Sequence, residues 1–263
     1  MGGISTDLKA GLAFCTRLPV TVPDGTRLAD AAWTLALAGA VVGLIGGAIL
    51  YVGLAVGLPP FAAATLAVAA TALATGCLHE DGLADTTDGF GGGRERASVL
   101  EIMRDSRIGT YGVVALIVSF LLRIGALASL AAGGAGLPML ALIAAHTGAR
   151  GALPLFMRAV PRAHADGLSA NAGRPSAGSA AGAVAIAVIV AVVCVGFGTT
   201  LVSALLIAAA LALLARMGLR KIGGQTGDVL GAAEQTGALK NLPPAAALLP
   251  DASRIPARNR FAK

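Results

Sequence analysis

The chain has 263 residues, of which 56% are hydrophobic and 13% charged, with 36 glycines and a mean hydropathy of +0.79. Soluble domains carry about a quarter charged residues, so this composition excludes a soluble domain and equally a disordered chain. The net charge of +6 comes without a basic run and with only 4% aromatics, which excludes a nucleic-acid surface and leaves a topological meaning for the excess.

The apolar content is mostly Ala, Val, Leu, Ile and Gly, the composition of closely packed membrane helices. At the N-terminus, Asp7 and Lys9 stand where a signal peptide would carry its apolar core, so cleavage is not expected. Ile4, Leu8, Leu12 and Cys15 instead recur at helical spacing, predicting a short amphipathic helix ended by Pro19. Cys15, Cys77 and Cys194 are too scattered for disulfides or a zinc site. Charge-free stretches then predict spans over 32–58 and 61–78, with the turn at Pro59-Pro60, and over 111–132 and 137–157. Two more fit between Pro175 and Ala215, hinged near Gly196-Phe197-Gly198, for six helices in an all-α polytopic membrane bundle.

Lys and Arg accumulate on the cytoplasmic side of short loops, and here they sort cleanly. Three lie in the N-terminal arm, four in 79–109, three in 158–174 and eight from Arg216 onward, whereas the opposite loops hold none. Both termini and every polar loop are therefore expected on the cytoplasmic face. The remaining two, Arg123 and Arg150, fall inside the third and fourth spans, where a charge costs roughly 2.5 to 3.5 kcal/mol and normally faces the bundle interior. His146 precedes Arg150 by one turn; it and His79 are expected to be hydrogen-bonded inside the bundle, and His164 to lie in a loop.

Seven of the fourteen acids, Glu80, Asp81, Asp85, Asp88, Glu95, Glu101 and Asp105, fall within 79–109. In HEDGLADTTDGFGGG, Asp81, Asp85 and Asp88 are spaced i, i+4, i+7, so a helix continuing from the second span carries all three on one face. Such a like-charge stripe calls for a cation, and carboxylates without His or Cys partners favour magnesium or manganese. Gly89, Gly91, Gly92 and Gly93 are expected to break that helix before the cluster RDSRIGTYG, whose Arg104 and Arg107, with Arg94 and Arg96 before them, have the geometry to clamp phosphate oxygens. A third stretch, KIGGQTGDVLGA, sets Thr226 and Asp228 among glycines on the same face. Metal-binding acids, arginines and a membrane face together point to chemistry on a phosphoanhydride, and no Walker A loop points to ATP hydrolysis. Two other classes also use such residues: a different magnesium-dependent membrane transferase of diphosphate substrates, and an ion-coupled transporter, which would place its acids at the bilayer midplane.

HEDGLADTTDGFGGG, EIMRDSRIGTYG and KIGGQTGDVLGA, with AFCTRLPV near the start, strongly resemble the signature stretches of the cobalamin synthase (adenosylcobinamide-GDP ribazoletransferase) family, in order from about residue 10 to about 238. The resemblance implies a single transferase domain over 1–238 with motif loops 79–109 and 221–234, embedded in the lipid of a bacterial inner membrane. It implies that adenosylcobinamide-GDP is joined to α-ribazole or its 5′-phosphate, with release of GMP and magnesium as cofactor. It places Glu80, Asp81, Asp85 and Asp88 at metal, Asp81, Asp85, Asp105 and Asp228 in catalysis, and Arg104 and Arg107 at substrate; Arg123 and Arg150, for their charge at membrane depth, are also expected at substrate. Homo-oligomerisation stays open. Arg162 and His164 depart from the family pattern, as does the proline-rich basic tail 239–263, too short for a closing span.

Overall fold

A computed structural model of the chain describes residues 3–163 and 172–247, with side chains as far as 238. All regular elements among these residues are helices, apart from one isolated bridge pairing Arg162 with Gln225. His164 and residues 248–263 of the tail lie outside the described residues.

Helix α1 (Ile4–Cys15) is the expected amphipathic segment; it stops at Cys15, where the Thr16 hydroxyl donates to the Leu12 carbonyl at 2.7 Å. Asp7 anchors it to the bundle by accepting a 3.0 Å hydrogen bond from the Trp33 indole. A short helix α2 (Leu28–Ala31) and a 3-10 turn (Ala32–Thr34) lead into α3 (Leu35–Ala55). Gly39, Gly43 and Gly47 form a stripe along α3 and press on α8 (Gly136–Ala159): a Cβ on Gly43 would stand 2.6 Å from the Ile143 Cα. Without a hydrophobic force between helices in lipid, such close backbone packing is what joins them.

Helix α4 (Pro60–Thr75) returns after Pro59 and ends on two successive left-handed residues, Gly76 (φ 64°) and Cys77 (φ 58°). The acidic helix does not continue from this span, contrary to expectation. The two left-handed residues turn the chain by 89° into α5 (Leu78–Gly92). Nor do the glycines break α5, which runs through Gly89, Gly91 and Gly92 and stops at Gly93. Their smallness serves packing instead, since Gly89 lies on Met103 and a Cβ on Gly91 would meet the Tyr111 ring at 2.7 Å. Helix α6 (Arg96–Arg104) follows, so 79–109 is a pair of helices rather than a loop.

Helices α7 (Thr110–Ala131), α8, α9 (Ala177–Val195) and α10 (Phe197–Lys221) match the expected later spans, with Gly196 (φ 82°) as the hinge between the last two. Among the described residues five helical segments are long and apolar enough to cross a bilayer, Leu28–Ala55 and α7 to α10. Helix α4 has 16 residues and reaches that length only when joined to α5 across the bend. Val114, Ile117, Leu121 and Leu122 on α7, with Leu201, Leu205 and Leu213 on α10, are exposed, as lipid-facing side chains are in a membrane protein. The opposite face of α7 closes a core with α3, α4 and α8, in which Leu50, Leu127, Leu130 and Leu142 interleave with alanines.

The last helix, α11 (Gly227–Ala247), opens within the third motif and packs among α5, α7, α8 and α10. Residues 227–234 are thus its first turns, not a loop, and the helix passes residue 238 without a break.

Candidate active site

Two glycines bring the acidic motifs together. Helices α5 and α11 run in opposite directions and touch backbone to backbone, a Cβ on Gly82 standing 3.0 Å from the Gly231 Cα and one on Gly231 3.1 Å from the Gly82 Cα. Asp81 and Asp85 from α5 and Asp228 from the first turn of α11 therefore share one mouth. Asp81 is exposed, whereas Asp85 and Asp228 are half-buried. The Thr226 hydroxyl donates to Asp228 Oδ2 at 3.2 Å and accepts from the Val229 amide at 3.3 Å, which holds the Asp228 carboxylate at the helix start. Asp85, on a helix outside the five spans, is pushed up to about 7 by burial and by the charges of Asp81, Asp228 and Asp88.

The remaining sequence-derived residues divide into three places. Asp88 is buried and turned toward α7, where its two oxygens accept from the Gly109 amide at 2.7 Å and the Gly112 amide at 2.9 Å. It caps the free amide end of α7 and complements that helix dipole. Glu80 points inward, as its neighbour position on the helix requires, and its Oε1 accepts from Arg123 at 3.4 Å and from Gln235 at 3.0 Å. Arg123 also lies 5.0 Å over the Phe120 ring. Arg150 is paired with Glu234 and with His146 Nδ1 (2.9 Å), both buried. As expected, both intramembrane arginines face the bundle interior, and His79 and His146 are buried; neither arginine is directed at the mouth.

Arg104, Asp105 and Arg107 stand apart, after α6. Arg107 grips Asp105 bidentately, at 2.6 Å for its closest pair, and holds that carboxyl down to about 2. Arg104 and Asp105 line an open hollow of about 710 Å³ with Leu100 and Glu101. Arg96 is bound elsewhere, donating to the Ile222 carbonyl at 3.0 Å and the Ala163 carbonyl at 2.6 Å, while Lys221 donates to the Gly93 carbonyl at 3.1 Å. These bonds staple the first motif to the third. Sequence reading missed Glu234 and Gln235; the two arginines at membrane depth were the signal that a buried acid had to lie in a facing helix.

Among the described residues no three His, Cys, Asp or Glu side chains converge into a ready cage for a metal. Magnesium does not need one, because it is held by one or two carboxylates and fills its shell with water and substrate phosphate. Any two of Asp81, Asp85 and Asp228 fit that donor set, and the raised Asp85 marks a charge cluster that a cation would relieve. The oxygens of Asp88 and the Oε1 of Glu80 are already engaged by the protein.

Residues 7–242 match the family model described as cobalamin-5-phosphate synthase. The chain belongs to this family. Its relatives include a protein of Bradyrhizobium diazoefficiens, 52% identical over 248 residues (93% of this chain and 94% of that one), and one of Xanthobacter autotrophicus, 49% identical (88% and 92%). A third, from Azorhizobium caulinodans, is 46% identical (88% and 92%). All three are named adenosylcobinamide-GDP ribazoletransferase. No solved structure matches the chain. The cobalamin-5-phosphate synthase match spans all the helices that carry the mouth, from α1 into α11.

Proposed function

We propose that this member of the cobalamin-5-phosphate synthase family joins adenosylcobinamide-GDP to α-ribazole or its 5′-phosphate. A ribose hydroxyl attacks the phosphorus nearer the corrinoid; a P–O bond forms there, the anhydride bond breaks, GMP leaves, and the hydroxyl proton is released. The observation that carries this reading is the meeting of Asp81, Asp85 and Asp228 at one mouth beside the helix ends. Magnesium bound there would neutralise the diphosphate charge. Two of Asp81, Asp85 and Asp228 would hold the cation, and the third would orient the attacking hydroxyl. Arg104 and Arg107, exposed beside the open hollow, meet the departing GMP phosphate, with Arg107 exchanging Asp105 for it. Arg123 and Arg150 act at a distance by keeping α5 and α11 in place. The mouth opens to the cytoplasm of a bacterial inner membrane, because the basic residues gather on that side of the bundle.

The test is GMP release and corrinoid product formation by the full chain in liposomes given both substrates, with and without magnesium. Magnesium-dependent release of one GMP per corrinoid joined is expected; folded protein that releases none overturns the reading.

A further inference from the structure

Four helices meet at a buried polar cluster one to two turns inside the mouth. Glu80 comes from α5, Ser119 and Arg123 from α7, Arg150 from α8, and Glu234 and Gln235 from α11, all nearly inaccessible. Two positive and two negative charges balance there. Gln235 is the link between the pairs: its Nε2 donates to Glu80 Oε1 at 3.0 Å and to Glu234 Oε2 at 3.0 Å, and its Oε1 accepts from Ser119 at 3.5 Å. Both carboxylates are acceptors only, so the amide nitrogen must face them, and it has one proton for each. No other uncharged side chain of that length offers the pair.

The placement gives this link a task. Along the two helices the Gly82–Gly231 contact separates Asp85 and Asp228 from the cluster. Asp85 is three residues beyond it on α5 and Gln235 four residues beyond it in the other direction on α11, about 4.5 and 6 Å of helix rise. Beyond the contact Asp85 and Asp228 repel one another across the two helices; on its inner side Gln235 ties α5 to α11. We propose that Gln235 is a positioning residue, a clamp that holds the two carboxylate-bearing helices together against the repulsion at the mouth. What the mouth binds rests on the functional reading above; the clamp itself does not.

The test compares the full-length chain with Gln235→Met, which keeps the length and loses the amide, in the same detergent. Mn²⁺ serves as the probe, titrated by electron paramagnetic resonance, with hydrogen exchange of α5 and α11 and the thermal midpoint as further readouts. Mn²⁺ affinity falls about tenfold, the size usual for outer-shell changes, and kcat falls with it. Exchange rises in α5 and the first turns of α11 but not in α3 or α9. Gln235→Asn, an amide one methylene too short, moves the same way and replaces the Met variant if that one does not insert. Unchanged exchange in α5 and α11 overturns the clamp, as does a rise spread evenly over the bundle. A parent protein that neither binds Mn²⁺ nor releases GMP sinks the functional reading alone, because exchange still decides the clamp.

Discussion

Two acidic clusters lie on the same pair of helices and are treated in opposite ways. Inside the bundle, Glu80 and Glu234 each have an arginine, with Gln235 between them. At the mouth, the charges of Asp81 and Asp228 bear on Asp85 and, with burial, drive it toward neutrality. A buried charge without a partner costs several kcal/mol, so the inner acids had to be matched for the helices to pack at all. The outer acids lie nearer water, Asp81 exposed and Asp85 and Asp228 half-buried, so their mutual repulsion is tolerated there. The difference separates acids whose charge is matched inside the bundle from acids gathered at its edge.

Breaking each side gives a different loss. Asp81→Ala or Asp85→Ala removes a mouth carboxylate, and turnover falls by roughly 100- to 1,000-fold while membrane insertion and thermal midpoint stay near those of the parent; a GMP-release assay with a melting curve reads both. Arg150→Met strands Glu234 in the interior and costs about 3 to 5 kcal/mol of stability, seen as a steep drop in the thermal midpoint. Adding Glu234→Gln to it restores most of the stability, because the stranded charge is gone.

The contrast sharpens with pH. Asp85 is raised in the folded protein, so the native site holds a proton between the ordinary carboxylate range and about pH 7. Without metal, its contribution to stability is present at low pH and lost as pH rises through about 7, so the thermal midpoint in chelator is higher at pH 6 than at pH 8. A cation must displace that proton, so Mn²⁺ affinity falls about tenfold per pH unit below about 7, up to one proton per site. The smallest effect is expected from Asp88→Asn. Its carboxylate caps α7, so the variant loses about 1 kcal/mol of stability and keeps its Mn²⁺ affinity within about twofold. A large loss of Mn²⁺ affinity would return Asp88 to the metal.

Much of the architecture was legible because lipid imposes simple rules. Charge-free stretches marked α3 and α7 to α10, and the depth of Arg123 and Arg150 foretold inward-facing charges. The i, i+4, i+7 spacing correctly placed Asp81, Asp85 and Asp88 on one helix. Periodicity could not reveal that α7 presents its free amides to Asp88 and takes it from the stripe. The glycines of GFGGG misled for a similar reason: a helix breaker and a close helix contact use the same residue, and only Met103 and Tyr111 tell them apart. Helix α11 was missed because a polar helix buried against arginines lacks an apolar signature.

The partners of Glu80 are separated from it in time as well as in sequence. Arg123 follows 43 residues later and Gln235 155 residues later, so a ribosome has made most of the chain before the inner carboxylate is matched. Until α11 emerges, α5 is an acidic helix leaning on an unfinished bundle, and α8 carries an arginine without its acid. Assembly of the inner cluster therefore waits for α11, and a chain that stops before Gln235 has its spans in place but lacks the amide that joins Glu80 to Glu234.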